Sequence, residues 1–143
     1  HIPYSKYEPV IVYEDLTLIE LSTKINKHLN STLSGYGEYI ASKSLEKGVD
    51  PVVASSIILL ETGCKWTCSG LVKISNNVGG MRSNKGYLKY DTLEKGIDAF
   101  INNLAYNYYA KGLNTPKLIN KKYATNPEWY KKVNHYVDLI KAS

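Results

Sequence analysis

Asp50-Pro51-Val52-Val53-Ala54-Ser55-Ser56-Ile57-Ile58-Leu59-Leu60-Glu61-Thr62-Gly63 is the stretch on which the fold turns. Asp50 is a good N-cap residue, and Pro51 follows at the first helical position, where its missing N–H costs nothing. From Val52 to Leu60 almost every residue is apolar, so a helix here is hydrophobic around most of its circumference and belongs in the middle of the domain. The β-branched content makes a strand the competing reading, and the Asp-Pro start favours the helix.

Upstream, Asp15 to Leu33 carries Leu16, Ile19, Leu21, Ile25, Leu29 and Leu33 near helical spacing and then meets Ser34-Gly35, which predicts an amphipathic helix with a stop. A second helix is expected from about Glu38 to Lys47, ended by Gly48. Downstream, residues 63–90 lose that periodicity and gain Gly70, Gly79, Gly80 and Gly86 among Ser and Asn. This predicts loops with one short β-hairpin, and long loops in compact domains are usually functional. Asp91 with Glu94 reads as a capping box opening a helix to about Lys111, stopped by Gly112. Thr115-Pro116 and Asn126-Pro127 start two further helices, to about Lys122 and Lys141. The fold class is therefore mainly α, with about six helices and little sheet, in one domain spanning 1–143. No internal repeat or low-complexity linker interrupts it.

The chain has 143 residues, enough for one domain to bury roughly two-thirds of its unfolded surface. Thirteen tyrosines against one phenylalanine suit surfaces that stack on sugars as well as an ordinary core. The net charge of +5 favours encounter with polyanions, nucleic acid and the anionic polymers of a bacterial wall alike. The doublets Lys121-Lys122 and Lys131-Lys132 are too isolated to prefer nucleic acid, so no nucleic-acid partner is expected. No stretch is apolar enough to insert in a membrane, and His1 to Val10 shows no export-signal pattern. Cys64 and Cys68 stand four apart and far from His1, His28 and His135, so no metal site and no cofactor are expected. The two cysteines either close a small disulfide or remain thiols.

Glu61 stands out chemically because it ends the most hydrophobic helix of the chain. Burial against Ile57, Ile58 and Leu60 disfavours the charged carboxylate, and the negative end of the helix dipole pushes the same way. A carboxylic acid still protonated near neutral pH is what glycosidic cleavage needs, whereas a helix-terminal glutamate turned to water is the plain alternative. Around it, Gly48-Val49-Asp50-Pro51, Leu60-Glu61-Thr62-Gly63, Asn76-Asn77-Val78-Gly79-Gly80-Met81 and Tyr123-Ala124-Thr125-Asn126-Pro127 occur in order. That set resembles the bacterial glucosaminidase family of autolysins and phage lysins, within the lysozyme-like superfamily that also holds the lytic transglycosylases. The resemblance spans about Glu38 to Lys141, leaving 1–37 as an N-terminal extension and amphipathic helix.

The resemblance implies a lysozyme-like helical fold with residues 63–90 as one wall of a cleft. It implies Glu61 as general acid, Asn76, Asn77, Gly79 and Gly80 shaping the opposite wall, and Tyr123 reaching the reacting sugar. Glycines 79 and 80 fit close passage of a glycan, and equally an ordinary tight turn. Tyr90 and Tyr108 rank ahead of Tyr87, Tyr106 and Tyr109 for stacking on sugar rings. Trp66 is placed to cover one end of the cleft, and Trp129 is expected in the core. The implied partner is the glycan strand of peptidoglycan, and the implied location is extracellular or the cell wall, as a monomeric domain or a module of a larger lysin.

A two-carboxylate glycosidase needs a second Asp or Glu across the bond, and between Glu61 and Asp91 there is none. Asp91 and Glu94 read as a capping pair, while Asp98 and Glu128 fall on helices expected to be partly exposed. The second group is then absent or drawn from elsewhere, with Glu38 and Asp91 the candidates. A single acid suffices where the substrate's 2-acetamido group or the muramic acid 6-hydroxyl supplies the rest. These routes correspond to an endo-N-acetylglucosaminidase, a muramidase or a lytic transglycosylase, and an inactive wall-binding module is the reading from outside the enzymes.

Overall fold

The computed structural model describes residues 9–143, so His1 and most of the segment read for an export signal lie outside the described residues. Among the described residues there are seven α-helices and two small antiparallel strand pairs, a mainly α domain as expected. The central helix is α3 (Pro51–Thr62). The Asp50 carboxylate accepts from the backbone N–H of Val52 and Val53 at 2.9 and 3.2 Å, and Gly63 ends the helix at φ 69°. Its polar members stay in the core because each returns a hydrogen bond to its own helix: Ser55 to Pro51 O, Ser56 to Val52 O and Thr62 to Ile58 O. α3 packs chiefly against α2 (Gly37–Glu46) and α7 (Trp129–Lys141). Ile57, Ile58 and Leu59 are fully buried there, each worth roughly 1.5–3 kcal/mol of apolar burial.

One helix over Asp15 to Leu33 was expected. Instead β1 (Ile11–Tyr13) pairs with β2 (Leu16–Thr17), and α1 runs only from Leu18 to Asn26. Thr17 and Glu20 form a reciprocal capping box that sets the start. Leu29 and Leu33 are buried as their spacing implies, but a loop and a single 3-10 turn over Ser31–Leu33 carry them. The chain leaves the helix because the Asn26 side chain bonds the Gly37 N–H at 2.8 Å, tying α1 to the start of α2. A Cβ on Gly37 would stand 2.6 Å from that Asn26 oxygen, so the glycine permits the approach.

Residues 63–90 contain the expected hairpin, β3 (Arg82–Ser83) with β4 (Gly86–Tyr87), and also an unanticipated short helix, α4 (Gly70–Ser75). Cys64 and Cys68 are joined in a disulfide. The expected Asp91–Glu94 box does not form. α5 (Leu93–Asn107) is capped by Thr92, whose hydroxyl accepts from Lys95 N–H at 3.1 Å, while Glu94 accepts from Tyr36 Oη at 2.6 Å. A 3-10 turn over Tyr109–Lys111 and Gly112 at φ 80° complete the path. α6 (Pro116–Tyr123) starts from Thr115 as expected, and α7 starts two residues beyond Pro127. There Asn126 Oδ1 accepts from Glu128 N–H in a turn of its own before the helix begins.

Candidate active site

Packing of α3 on α7 brings together two side chains 68 positions apart in the sequence: Trp129 Nε1 donates to Glu61 Oε1 at 3.0 Å. Glu61 is half-buried, and burial raises its carboxyl pKa above the ordinary range, with the indole N–H pulling the other way less strongly. An indole nitrogen can only donate, so Oε1 serves as acceptor and Oε2 is left to carry the acid proton. Oε2 faces Gly80, where a Cβ would stand 3.7 Å from it. The oxygen not held by Trp129 thus faces a stretch of wall that carries no side chain at Gly80.

That wall is built by Asn77. Its Oδ1 accepts from the N–H groups of Gly79 and Met81 at 3.3 and 3.0 Å, and its Nδ2 donates to the carbonyls of Met81 and Leu88 at 2.8 and 2.9 Å. The side chain is buried and the amide's four bonding positions are all used within the loop. Asn77 therefore shapes the wall, and its amide is fully spent within the loop. Asn76 ends α4 at φ 54° and donates from Nδ2 to Tyr90 O at 2.8 Å, tying the wall to the far end of the hairpin. Its carbonyl lies so close to α5 that a Cβ on Gly96 would fall 1.7 Å away, a contact the sequence reading missed.

Gly79 is pressed from behind. A Cβ there would meet Phe100 Cδ1 at 2.3 Å and the Tyr123 hydroxyl at 2.9 Å. Tyr123 Oη donates to the Gly79 carbonyl, and its ring stacks on Trp129 with centroids 5.1 Å apart and planes 18° apart. Burial first, and the nearby Glu61 charge second, hold the Tyr123 hydroxyl well above its usual pKa, so it stays a neutral donor. Tyr108 also packs on Tyr123, with ring centroids 5.7 Å apart. Gly79, Gly80, Met81, Asn103, Tyr108 and Tyr123 together line a cavity of about 150 Å³.

The remaining expected residues are placed less centrally. Tyr90 is half-buried, with its hydroxyl on Met81 Sδ at 3.7 Å, so it supports the wall from outside the cavity. Trp66 is exposed in the disulfide loop, with Lys65 Nζ 5.1 Å from its ring centroid, and does not line the cavity. Trp129 is buried as expected, but its bond to Glu61 was not foreseen, nor were Met81 and Asn103 as lining residues. A larger cavity of about 590 Å³, beside the end of α2 and α5, is lined by Glu46, Lys47 and the stacking candidates Tyr106 and Tyr109 among others, and includes neither Glu61 nor the glycine wall.

The candidate second carboxylates are engaged elsewhere or exposed. Glu38 is exposed on the first turn of α2, and Asp91 is exposed beside Lys95 at 3.7 Å. Asp98 accepts from Tyr39 Oη at 2.7 Å, and Glu128 pairs with Lys131 at 2.7 Å. No neighbouring charge among the described residues contributes to the raised pKa of Glu61. A carboxylate at the roughly 5 Å separation of a retaining pair would do so.

Comparison with curated proteins finds none that matches the chain. Comparison with protein families matches residues 37–142 to the glucosaminidase family, described as mannosyl-glycoprotein endo-beta-N-acetylglucosaminidase. The match covers the helices that hold Glu61, the glycine wall, Tyr123 and Trp129, and the chain belongs to this family of glycosidase-type enzymes.

Proposed function

We propose that this domain cuts a β-1,4 bond in the glycan strand of peptidoglycan as an endo-N-acetylglucosaminidase, with Glu61 as its general acid. The observation that carries this reading is the orientation of the Glu61 carboxyl. One oxygen is fixed by Trp129, and the other, on a carboxyl whose pKa burial raises, faces the bare backbone of Gly80. Transfer of the proton from Oε2 to the glycosidic oxygen lets the C1–O bond break, and the leaving sugar departs with that proton. With no second carboxylate coupled to Glu61 among the described residues, the 2-acetamido carbonyl oxygen of the GlcNAc bonds to C1 in its place. The Glu61 carboxylate then takes a proton from water as the water oxygen adds to C1, which releases the acetamido oxygen and restores the acid.

Tyr123 acts here as a positioning residue, joining the Gly79 carbonyl to the Trp129 ring that orients the acid. The domain works as a monomer on the cell wall, outside the membrane. Mass spectrometry of digested glycan tests the reading. Reducing-end GlcNAc is expected. Reducing-end MurNAc replaces it with a muramidase, 1,6-anhydro-MurNAc with a lytic transglycosylase, and binding to walls with no cleavage leaves a wall-binding module.

A further inference from the structure

The formal charge of +5 is carried entirely by one stretch. Residues 62–90 hold Lys65, Lys73, Arg82, Lys85 and Lys89 with no Asp or Glu, and the rest of the chain balances. None of these five is in an ion pair among the described residues. Lys73, Arg82, Lys85 and Lys89 are exposed, while half-buried Lys65 rests against His28 Nδ1 at 3.2 Å. The acid next in the chain, Asp91, is occupied by Lys95. The same stretch exposes Trp66, Ile74, Tyr87 and Leu88, and the Arg82 guanidinium lies 4.7 Å from the ring centroid of its cross-strand partner Tyr87. Unpaired cations among open apolar and aromatic faces describe a surface for an acidic chain with apolar side groups.

Its place in the fold selects the ligand. Arg82 follows Gly80-Met81 directly, so the hairpin extends the wall that faces Glu61. Asn77 and Asn76 bond the hairpin's flanks at Met81, Leu88 and Tyr90, which ties the backbone that carries these cations to the wall. We propose that this basic lobe docks the acidic stem peptides of the peptidoglycan strand lying in the cleft, an assignment that rests on the glycan-cleaving reading above. Stem peptides recur along the strand, so their carboxylates are the acidic groups that a strand in front of Glu61 would bring toward Arg82, Lys85 and Lys89. At physiological salt the attraction reaches about 8 Å, which suits groups hanging beside the cleft and not distant ones.

The test is a pull-down with insoluble glycan, using the Glu61→Gln protein so that nothing is cut during binding. It is compared with the same protein carrying Arg82→Gln, Lys85→Gln and Lys89→Gln, all on exposed side chains. Strands with intact peptides are set against strands whose peptides an amidase has removed. The proposal expects the triple variant to bind peptide-bearing strands about tenfold more weakly at low salt, to lose that difference in high salt, and to match its parent on bare strands. Equal weakening on both strands, or on neither, overturns it. A defect that vanishes once phosphodiester polymers are stripped from walls with intact peptides also overturns it, in favour of that polymer as ligand. Should the native protein cut neither strand while the binding pattern holds, the cleavage reading fails and the docking assignment stands.

Discussion

The indole N–H of Trp129 and the carboxyl of Glu61 form a hydrogen bond of 3.0 Å between the first residue of α7 and the penultimate residue of α3. It assigns unequal roles to two chemically identical oxygens. Oε1 is held as an acceptor, and Oε2 is presented toward Gly80. It also stabilises the carboxylate form and so restrains the rise in pKa that burial causes.

Trp129→Phe removes that restraint by deleting the donor, while a smaller phenyl still offers an aromatic face to Tyr123. The Glu61 pKa then rises further, because burial acts unopposed. The alkaline limb of the pH profile of kcat/KM, where the free enzyme's acid loses its proton, moves to higher pH. Turnover falls as well, since the acid is less firmly oriented. An unmoved alkaline limb in the variant shows that Glu61 does not set it.

Glu61→Gln abolishes proton donation and lowers cleavage of purified walls by about 10²–10⁴-fold. Its effect on stability has a definite sign. The folded carboxyl has a raised pKa, so the folded state holds the proton more tightly than the unfolded one, and this advantage is complete below the ordinary Glu range. It is lost as pH rises through the folded pKa. The Gln variant, uncharged throughout, gains on the parent as pH increases. Urea unfolding of both proteins at about pH 4 and about pH 8 measures that divergence.

The three glycines around the wall respond differently to alanine. Gly96→Ala places a methyl 1.7 Å from the Asn76 carbonyl, which is backbone and cannot swing aside, and costs about 3 kcal/mol or more. Gly79→Ala drives against the buried Phe100 ring and costs about 1–3 kcal/mol. Gly80→Ala meets nothing closer than Glu61 Oε2 at 3.7 Å, so its cost is the left-handed backbone alone, about 1–2 kcal/mol. The methyl nevertheless comes into contact with the acid's free oxygen, where the glycosidic oxygen has to approach. Activity per folded molecule therefore falls most for Gly80→Ala, measured by lysis rates beside thermal unfolding.

Tyr123→Phe leaves the Gly79 carbonyl without its donor and destabilises by about 1–3 kcal/mol, while the stack on Trp129 survives. As a positioning residue it loses part of the activity with an unshifted pH profile. A loss equal to that of Glu61→Gln in a folded protein makes it a participant in the proton chemistry.

What the chain determined by itself is local. Asp50, Pro51 and Gly63 set the ends of α3, and the apolar run between them requires burial, so the sequence alone marks Glu61 as a carboxyl whose charged form burial disfavours. Thr115-Pro116 marked α6 in the same way, because a cap and its helix lie within four residues. Asp91 and Glu94 misled for a related reason: Thr92 offered an equally good cap one position on, and Tyr36 claimed Glu94 from another helix. The periodicity of Leu29 and Leu33 likewise reported burial correctly but not the loop that delivers it. Tertiary packing alone decided which oxygen of Glu61 is bound and which is free. It also decided that Asn77 spends its whole amide on the wall, and that Gly79 and Gly96 are pressed from behind. These depend on partners up to 68 positions away, whose approach is set by how α3, α5 and α7 pack and leaves no periodic trace in the sequence.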